Sequence, residues 1–374
     1  MRDKKRIIIA SVLKPTEDSR MLYKFGFSLR ETNKYEVYIL GFSEKKYRKI
    51  NNIHLYSLHS KPRTHPSRVL APLRLVRYIF KIKPDVVILT TYELAPAVIF
   101  ANRFLKFKLI YDIQENFSLN VLSNATLPTG LQRLAAGWIR WWERRIDPYV
   151  DHYLLAEDCY REEFPQLSNV TAVENKYSGP ILHGDPVSFY PEGTIRFILA
   201  GTLTEVYGIM EGMKWFMGFN IHFPNQALHV IGHCPMKTYR QKLEELANGI
   251  PQINLELSNT PIPFERMQDA ISKADCWLMP YQLIPSIATK MPTKLYESIA
   301  RRKVVLITKN PVWEKLVLTH SAGLCIDFHK GAWTKSEMES LYRHTYFTAV
   351  QNGDIYWSEE AEKLLSVVES LIGS

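Results

Sequence analysis

Residues 286–297 read Ser-Ile-Ala-Thr-Lys-Met-Pro-Thr-Lys-Leu-Tyr-Glu and place a proline, a lysine and a glutamate at the start of a helix predicted over 292–300. Pro292 suits a first helical turn, because its φ is already helical and its missing N–H would have had no partner. The N–H groups that follow, with the helix dipole behind them, attract a phosphate, and Lys294 adds a full positive charge beside them. Glu297 comes three residues later on the same face, too far from a diphosphate to repel it strongly and well placed to accept hydrogen bonds from sugar hydroxyls. The stretch outlines a nucleotide site. An ordinary amphipathic helix with an exposed i,i+3 Lys/Glu pair would read the same way.

Outward from this helix, short apolar runs rich in β-branched residues recur at 195–200, 227–232, 253–257, 276–280, 303–308 and 323–327. An earlier series at 6–11, 36–41, 85–90, 108–113 and 152–156 precedes the Gly/Pro-rich stretch 178–193. This is the rhythm of parallel strands joined by helices. It predicts an α/β chain of two Rossmann-like, doubly wound domains facing a central cleft, an N-terminal one over 1–182 and a C-terminal one over 183–355. A final helix within 356–374, after a turn at Asn352-Gly353, is expected to cross back to the N-terminal domain. Ligands of such folds lie beyond the carboxyl ends of the strands.

The 374 residues suffice for two substantial cores. No run reaches the roughly 18 to 20 apolar residues of a membrane span, and the opening carries no signal-peptide core, so a cytoplasmic protein is expected. Cys159, Cys234, Cys276 and Cys325 are widely spaced, without a C-x-x-C pair or histidines at zinc-ligand spacing, and read as buried free thiols. The net charge of +9 is uneven: residues 1–182 hold 29 Lys/Arg against 18 Asp/Glu, and 183–374 hold 18 against 20. Residues 44–81 alone carry Lys45, Lys46, Arg48, Lys49, Lys61, Arg63, Arg68, Arg74, Arg77 and Lys81 against Glu44. Nucleic acid, an anionic lipid surface, a phosphorylated substrate or plain solvation would each account for such a segment, but no nucleic-acid motif accompanies it. Trp138, Trp141 and Trp142 share a predicted helix, 129–146, with Arg140, Arg144 and Arg145. That helix suits a membrane interface or a packed helix with snorkelling arginines.

Several motifs fall at the strand ends. Asp18-Ser19-Arg20 follows the first strand, Lys83-Pro84-Asp85-Val86-Val87 opens a later one, and Tyr111-Asp112-Ile113-Gln114-Glu115 closes another. The second half carries residues 197–201 followed by Tyr207-Gly208, then Leu228-His229-Val230-Ile231-Gly232 and Ala274-Asp275-Cys276-Trp277-Leu278-Met279-Pro280-Tyr281. Met291-Pro292-Thr293-Lys294-Leu295-Tyr296-Glu297 with Arg302-Lys303-Val304-Val305 completes the series. In order and spacing, over nearly the whole chain, these motifs resemble retaining glycosyltransferases of the GT-B fold, family 4 and its relatives. Two features depart from that pattern. Thr289 stands where the E-x7-E signature has its first glutamate, and the Arg and Lys that often follow the G-x-L turn are replaced near Thr202 and Tyr207, leaving Lys290 and Lys294 as the phosphate cations.

The resemblance implies transfer of a sugar from a nucleotide-sugar donor to a glycan or lipid-linked acceptor in cell-surface polysaccharide or glycoconjugate synthesis. Retention, no cofactor and no metal are implied with it. Donor contacts are assigned to Gly201, Thr202, Tyr207, Tyr281, Thr289, Lys290, Pro292, Thr293, Lys294 and Glu297. Asp18, Arg20 and Tyr92 fall on the acceptor side, and Lys294, Glu93, Gln114 and Glu115 are the catalytic candidates. Asp112 and Glu93 read equally as a cap and a surface residue. A catalytically silent nucleotide-sugar-binding subunit and a GT-B nucleotide-sugar epimerase remain alternatives. An anionic membrane surface, met through residues 44–81 and 138–145, is a further expected partner, which would place the protein on the inner face of the plasma membrane.

Overall fold

The computed structural model describes residues 4–60, 66–123, 128–349 and 353–373. Lys61, Arg63 and Asn352 of the sequence reading lie outside them. The chain forms two compact units, Met1–Ser178 with Tyr356–Ser374, and Gly179–Ile355. The expected division at 182/183 falls at 178/179, just after the bridge between Tyr177 and Tyr356 that joins the two segments of the first unit.

The first unit is built on an eight-stranded sheet. In chain order its strands are β1 Lys5–Pro15, β2 Tyr35–Phe42, β3 Tyr47–Ile50, β4 Ile53–His59, β5 Val86–Leu89, β6 Lys108–Ile113, β7 His152–Leu155 and β8 Val170–Ala172. They lie in the order β3-β4-β2-β1-β5-β6-β7-β8, parallel except for the β3–β4 hairpin. Both faces are covered, so β1 is apolar on both: Ile7 and Ile9 point into one core, Ile8 and Ala10 into the other. The hairpin escapes a reading by apolar runs because β3 is the charged, largely exposed Tyr-Arg-Lys-Ile. Its signal is the turn Asn51-Asn52, where both residues take positive φ, 45° and 66°, as a tight hairpin requires.

The C-terminal helix Trp357–Gly373 packs Trp357, Leu364 and Val368 into the core that holds Ile7 and Ile9. Trp357 stacks on Phe25 and donates from Nε1 to Ser28 Oγ at 2.9 Å. Beside it Glu360, fully buried, meets Lys176 Nζ at 2.8 Å and accepts from the Glu174 N–H at 2.8 Å. Burial alone would raise the Glu360 pKa, but Lys176, Lys363 and that N–H together hold it below the usual carboxylate range. Removing one partner of a buried pair of this kind costs about 3–5 kcal/mol, which fastens the helix to this unit.

The second unit carries β9 Val187–Ser188, β10 Arg196–Thr202, β11 Ala227–His233, β12 Ile253–Ser258, β13 Cys276–Met279, β14 Val304–Thr308, β15 Gly323–Ile326 and β16 Thr345–Tyr346. Six of them form an all-parallel sheet in the order β12-β11-β10-β13-β14-β15, and β9 pairs antiparallel with β16. Strand order reverses between β10 and β13 here, and between β1 and β5 in the first unit. In each sheet by itself, such a reversal marks the carboxyl-end position where doubly wound sheets take ligands.

Candidate functional site

Gly201, one residue before the end of β10, has φ +111°, a conformation that side chains rarely adopt. A Cβ there would lie 2.6 Å from Lys294 Nζ. The glycine therefore lets the lysine reach the backbone, and Lys294 Nζ donates to the Ala200 carbonyl at 2.7 Å. The ammonium also lies 5.3 Å from the centroid of the Tyr207 ring. Gly208, at φ +65°, is equally constrained, since a Cβ would fall 1.7 Å from the Pro280 carbonyl oxygen. The start of the helix Ile209–His222 and the residue after β13 are thus held in backbone contact.

Lys294 opens the helix Thr293–Ala300, whose N-cap is Pro292 and which has no side-chain cap. The N–H groups of Thr293 and Lys294 make no hydrogen bond to any described residue, so the helix that carries the lysine also opens with two unpaired amides. Burial pushes the Lys294 pKa down to about 8, against the pull of the Glu297 carboxylate, which raises it. An arriving phosphate would reverse that shift.

Glu297 sits one turn on. Its Oε1 accepts from Gln268 Nε2 at 3.4 Å and lies 3.1 Å from Arg301 Nε, while Oε2 meets no described residue. The carboxylate is oriented by two side chains and keeps one oxygen for a ligand. Arg301, at i+4, was legible as a helix pair; Gln268 comes from another helix, Phe264–Lys273, and left no sequence signal.

The loop between β13 and this helix is braced from behind. Asn310 caps the helix Pro311–Thr319 by accepting from the Val312 N–H at 2.9 Å, and its Nδ2 donates to the Ala288 carbonyl at 2.9 Å. Trp313 Nε1 donates to the Lys290 carbonyl at 2.7 Å. Tyr281 is buried between Tyr207 and Trp313, with ring centroids 5.6 and 5.5 Å away, and burial pushes its phenol well up. It supports the loop from inside, whereas Thr202 and Thr289 are exposed. Asn310 and Trp313 escaped the sequence reading because their bonds run to backbone carbonyls about twenty residues away.

In the first unit, Asp18 caps the helical segment Ser19–Gly26, accepting from the Arg20 and Met21 N–H groups at 2.9 and 3.1 Å. Arg20 is buried and grips Asp112 through two bonds, Nε to Oδ2 at 3.0 Å and Nη2 to Oδ1 at 2.7 Å. Gln114 Nε2 donates to the same Asp112 Oδ2 at 2.7 Å. Asp112 is thus a buried junction of three side chains, and the arginine of the D-x-R motif ties the helical segment after β1 to the end of β6. Glu115 is contacted by Asn120 Nδ2 at 3.1 Å and by Lys14 Nζ at 3.6 Å. Glu93 is gripped by both ends of the Arg68 guanidinium. Tyr92 stands edge-on to Phe117, its phenol pushed by burial up to about 12.

Neither a protein-family model nor a curated protein sequence matches the chain. Solved structures do. Sucrose-phosphate synthase from Thermosynechococcus elongatus is 11% identical at a TM-score of 0.67, covering 99% of this chain and 100% of its own. The catalytic domain of starch synthase IV from Arabidopsis thaliana, bound to ADP and acarbose, is 8% identical at 0.63, covering 100% of both chains. UDP-GlcNAc 2-epimerase from Methanocaldococcus jannaschii is 11% identical at 0.56, covering 98% of this chain and 99% of its own. The fold is GT-B.

The depressed Lys294 pKa has a testable sign. Between about 8 and 10.5 the unfolded chain holds a proton that the folded chain has lost, so this residue makes stability rise with pH across that window. Thermal unfolding of Lys294→Met and the parent from pH 7 to 10.5 is expected to show the variant gaining relative stability at the low end and losing that advantage as pH rises. Parallel curves would mean that the ammonium is not desolvated.

Proposed function

We propose that the protein is a glycosyltransferase that moves a sugar, with retention and without a metal ion, from a nucleotide-sugar donor to a glycan or lipid-linked acceptor, in cell-surface polysaccharide or glycoconjugate synthesis. The observation that carries this reading is the grouping of Lys294, two uncapped amides and the Gly201 backbone at the order reversal of a GT-B unit. In the transfer the bond from the anomeric carbon to the diphosphate oxygen breaks, the acceptor oxygen bonds to that carbon, and the acceptor proton leaves. Negative charge grows on the departing diphosphate, where fixed donors stabilise it most. Lys294 supplies that charge compensation, Gly201 and Thr202 add backbone N–H groups, and Glu297 Oε2 takes a ribose hydroxyl. Asp18, Arg20, Tyr92, Glu93, Gln114 and Glu115 form the acceptor side, with Arg20 and Gln114 acting through Asp112.

A nucleotide-sugar epimerase is the second reading, favoured by a fold shared with UDP-GlcNAc 2-epimerase. A silent donor-binding subunit is the third. Thermal shift against UDP-, GDP-, ADP- and CMP-sugars, followed by product analysis, separates them. A true donor at 100 times its Kd is expected to stabilise the chain by about 2.7 kcal/mol. Glu297→Ala is expected to lose roughly 10- to 150-fold in kcat/KM, the range for a hydrogen bond to a charged group, and Lys294→Ala at least as much. An altered free sugar nucleotide would select the epimerase, and binding without turnover the silent subunit. No stabilisation by any donor would defeat all three.

An anionic membrane surface is the proposed setting of the acceptor. On the helix Thr129–Ile146, Leu131, Leu134, Trp138 and Trp141 are exposed at spacings of three and four, one stripe of the helix, and the Arg145 guanidinium lies 4.9 Å from the Trp141 ring. The basic segment contributes less than its composition suggests, because Arg48 pairs with Glu17, Arg68 with Glu93, and Arg74 donates to the Leu58 carbonyl. Lys45, Lys46 and Lys49 remain exposed. Sedimentation with anionic vesicles is expected to weaken with salt, on changing these three lysines to Glu, and more sharply on Trp138→Ser with Trp141→Ser. Equal binding to neutral and anionic vesicles, or none, would leave a soluble acceptor.

A further inference from the structure

A cavity of about 330 Å³ lies in the first unit beside the helix Thr129–Ile146 and falls within the size range of small-molecule pockets. Tyr111 and Tyr153, neighbours across β6 and β7, line it together with Arg140, Glu143 and Arg144. The last three make no side-chain hydrogen bond or ion pair with any described residue. Arg140 and Arg144 are exposed like charges four apart on one helix, and Glu143 between them in sequence feels Arg140 without pairing with it, so both guanidinium groups are open to an anion at the cavity. The other carboxylates at the cavity are engaged: Asp147 Oδ1 accepts from the Tyr153 hydroxyl at 2.6 Å, and Glu163 Oε2 accepts from Asn116 Nδ2 at 2.8 Å.

We propose that this cavity binds a sugar carrying one anionic group, phosphate or carboxylate, with Arg140 and Arg144 pairing with the anion and Tyr111 and Tyr153 walling the ring. Guanidinium forks suit both anions, and tyrosine faces with polar tips suit a hydroxylated ring. All of the residues belong to the first unit, so the proposal stands independently of the donor reading.

Glu143 makes the binding pH-dependent. Burial pushes its pKa up to about 7, opposed by Arg140. Arg140 and Arg144 accompany it on its own helix, Tyr111, Tyr153 and Tyr92 feel its charge from the sheet side, and Asp147 and Glu163 also line the cavity. An anion arriving beside it favours the protonated carboxyl, so binding takes up a proton.

Calorimetric titration of the full chain with glucuronate, glucose 6-phosphate, glucose and inorganic phosphate tests the proposal. At least one acidic sugar is expected to bind, and whichever does identifies the anion. Affinity for it should be about tenfold higher at pH 6 than at pH 8 if it is glucuronate, whose own charge is constant there. Glu143→Gln should keep binding and abolish that pH dependence, while Arg140→Gln and Arg144→Gln should each weaken binding by about tenfold with an unchanged Tm. Glucose or inorganic phosphate binding as tightly as the acidic sugars, no binding of either acidic sugar, or a pH dependence of glucuronate binding unaltered in Glu143→Gln would overturn it.

Discussion

An ammonium held half-buried against a strand end is the constraint around which the second unit is organised. Lys294 can donate to the Ala200 carbonyl only because Gly201 has no Cβ and takes φ +111°. The helix start must then come within reach of the β10 terminus, which sets the path of the loop from β13. Asn310, Trp313 and Tyr281 hold that path by bonding to its carbonyls and filling the space behind it. A charge kept partly out of water costs stability by itself. Such a cost is common where a protein prepares a place for an opposite charge, and here the uncapped amides point to the same purpose.

The first unit meets its own demand differently. Arg20 and Asp112 form a buried, bidentate pair, with Gln114 as a third member, at the end of β6 and next to the order reversal at β1 and β5. A pair of this kind contributes less through net stability than through fixing geometry, since desolvation offsets most of the Coulomb attraction. It locks the turn after β1 to the end of β6 and leaves Glu115 and Tyr92 closer to the surface. The C-terminal helix follows the same logic, with Glu360 and Lys176 buried together beside the Trp357 contact.

Much of this was legible before any coordinates. The eleven apolar runs all became strands, because a parallel strand covered on both faces must be apolar at nearly every position. The Lys-x-x-Glu spacing after Pro292 led to the helix start, since helix periodicity and proline chemistry act over a few residues. What escaped acts across distance or without hydrophobicity. The charged strand β3, the two-residue strands β9 and β16, the Arg68 grip on Glu93 and the Gln268 contact to Glu297 depend on which elements the fold brings together. Composition likewise overstated the basic segment, because formal charge does not reveal that Arg48, Arg68 and Arg74 already have partners.

The central claim is that the Thr293–Ala300 helix start and the Gly201 turn form one phosphate-binding surface. Amide hydrogen exchange, followed with UDP, GDP, ADP and CMP in turn, tests it most directly. The account predicts that at least one nucleotide slows exchange at both 201–203 and 293–295, and that Lys294→Ala removes both effects together. Protection confined to other segments, or protection at the helix start that survives Lys294→Ala unchanged, would contradict it.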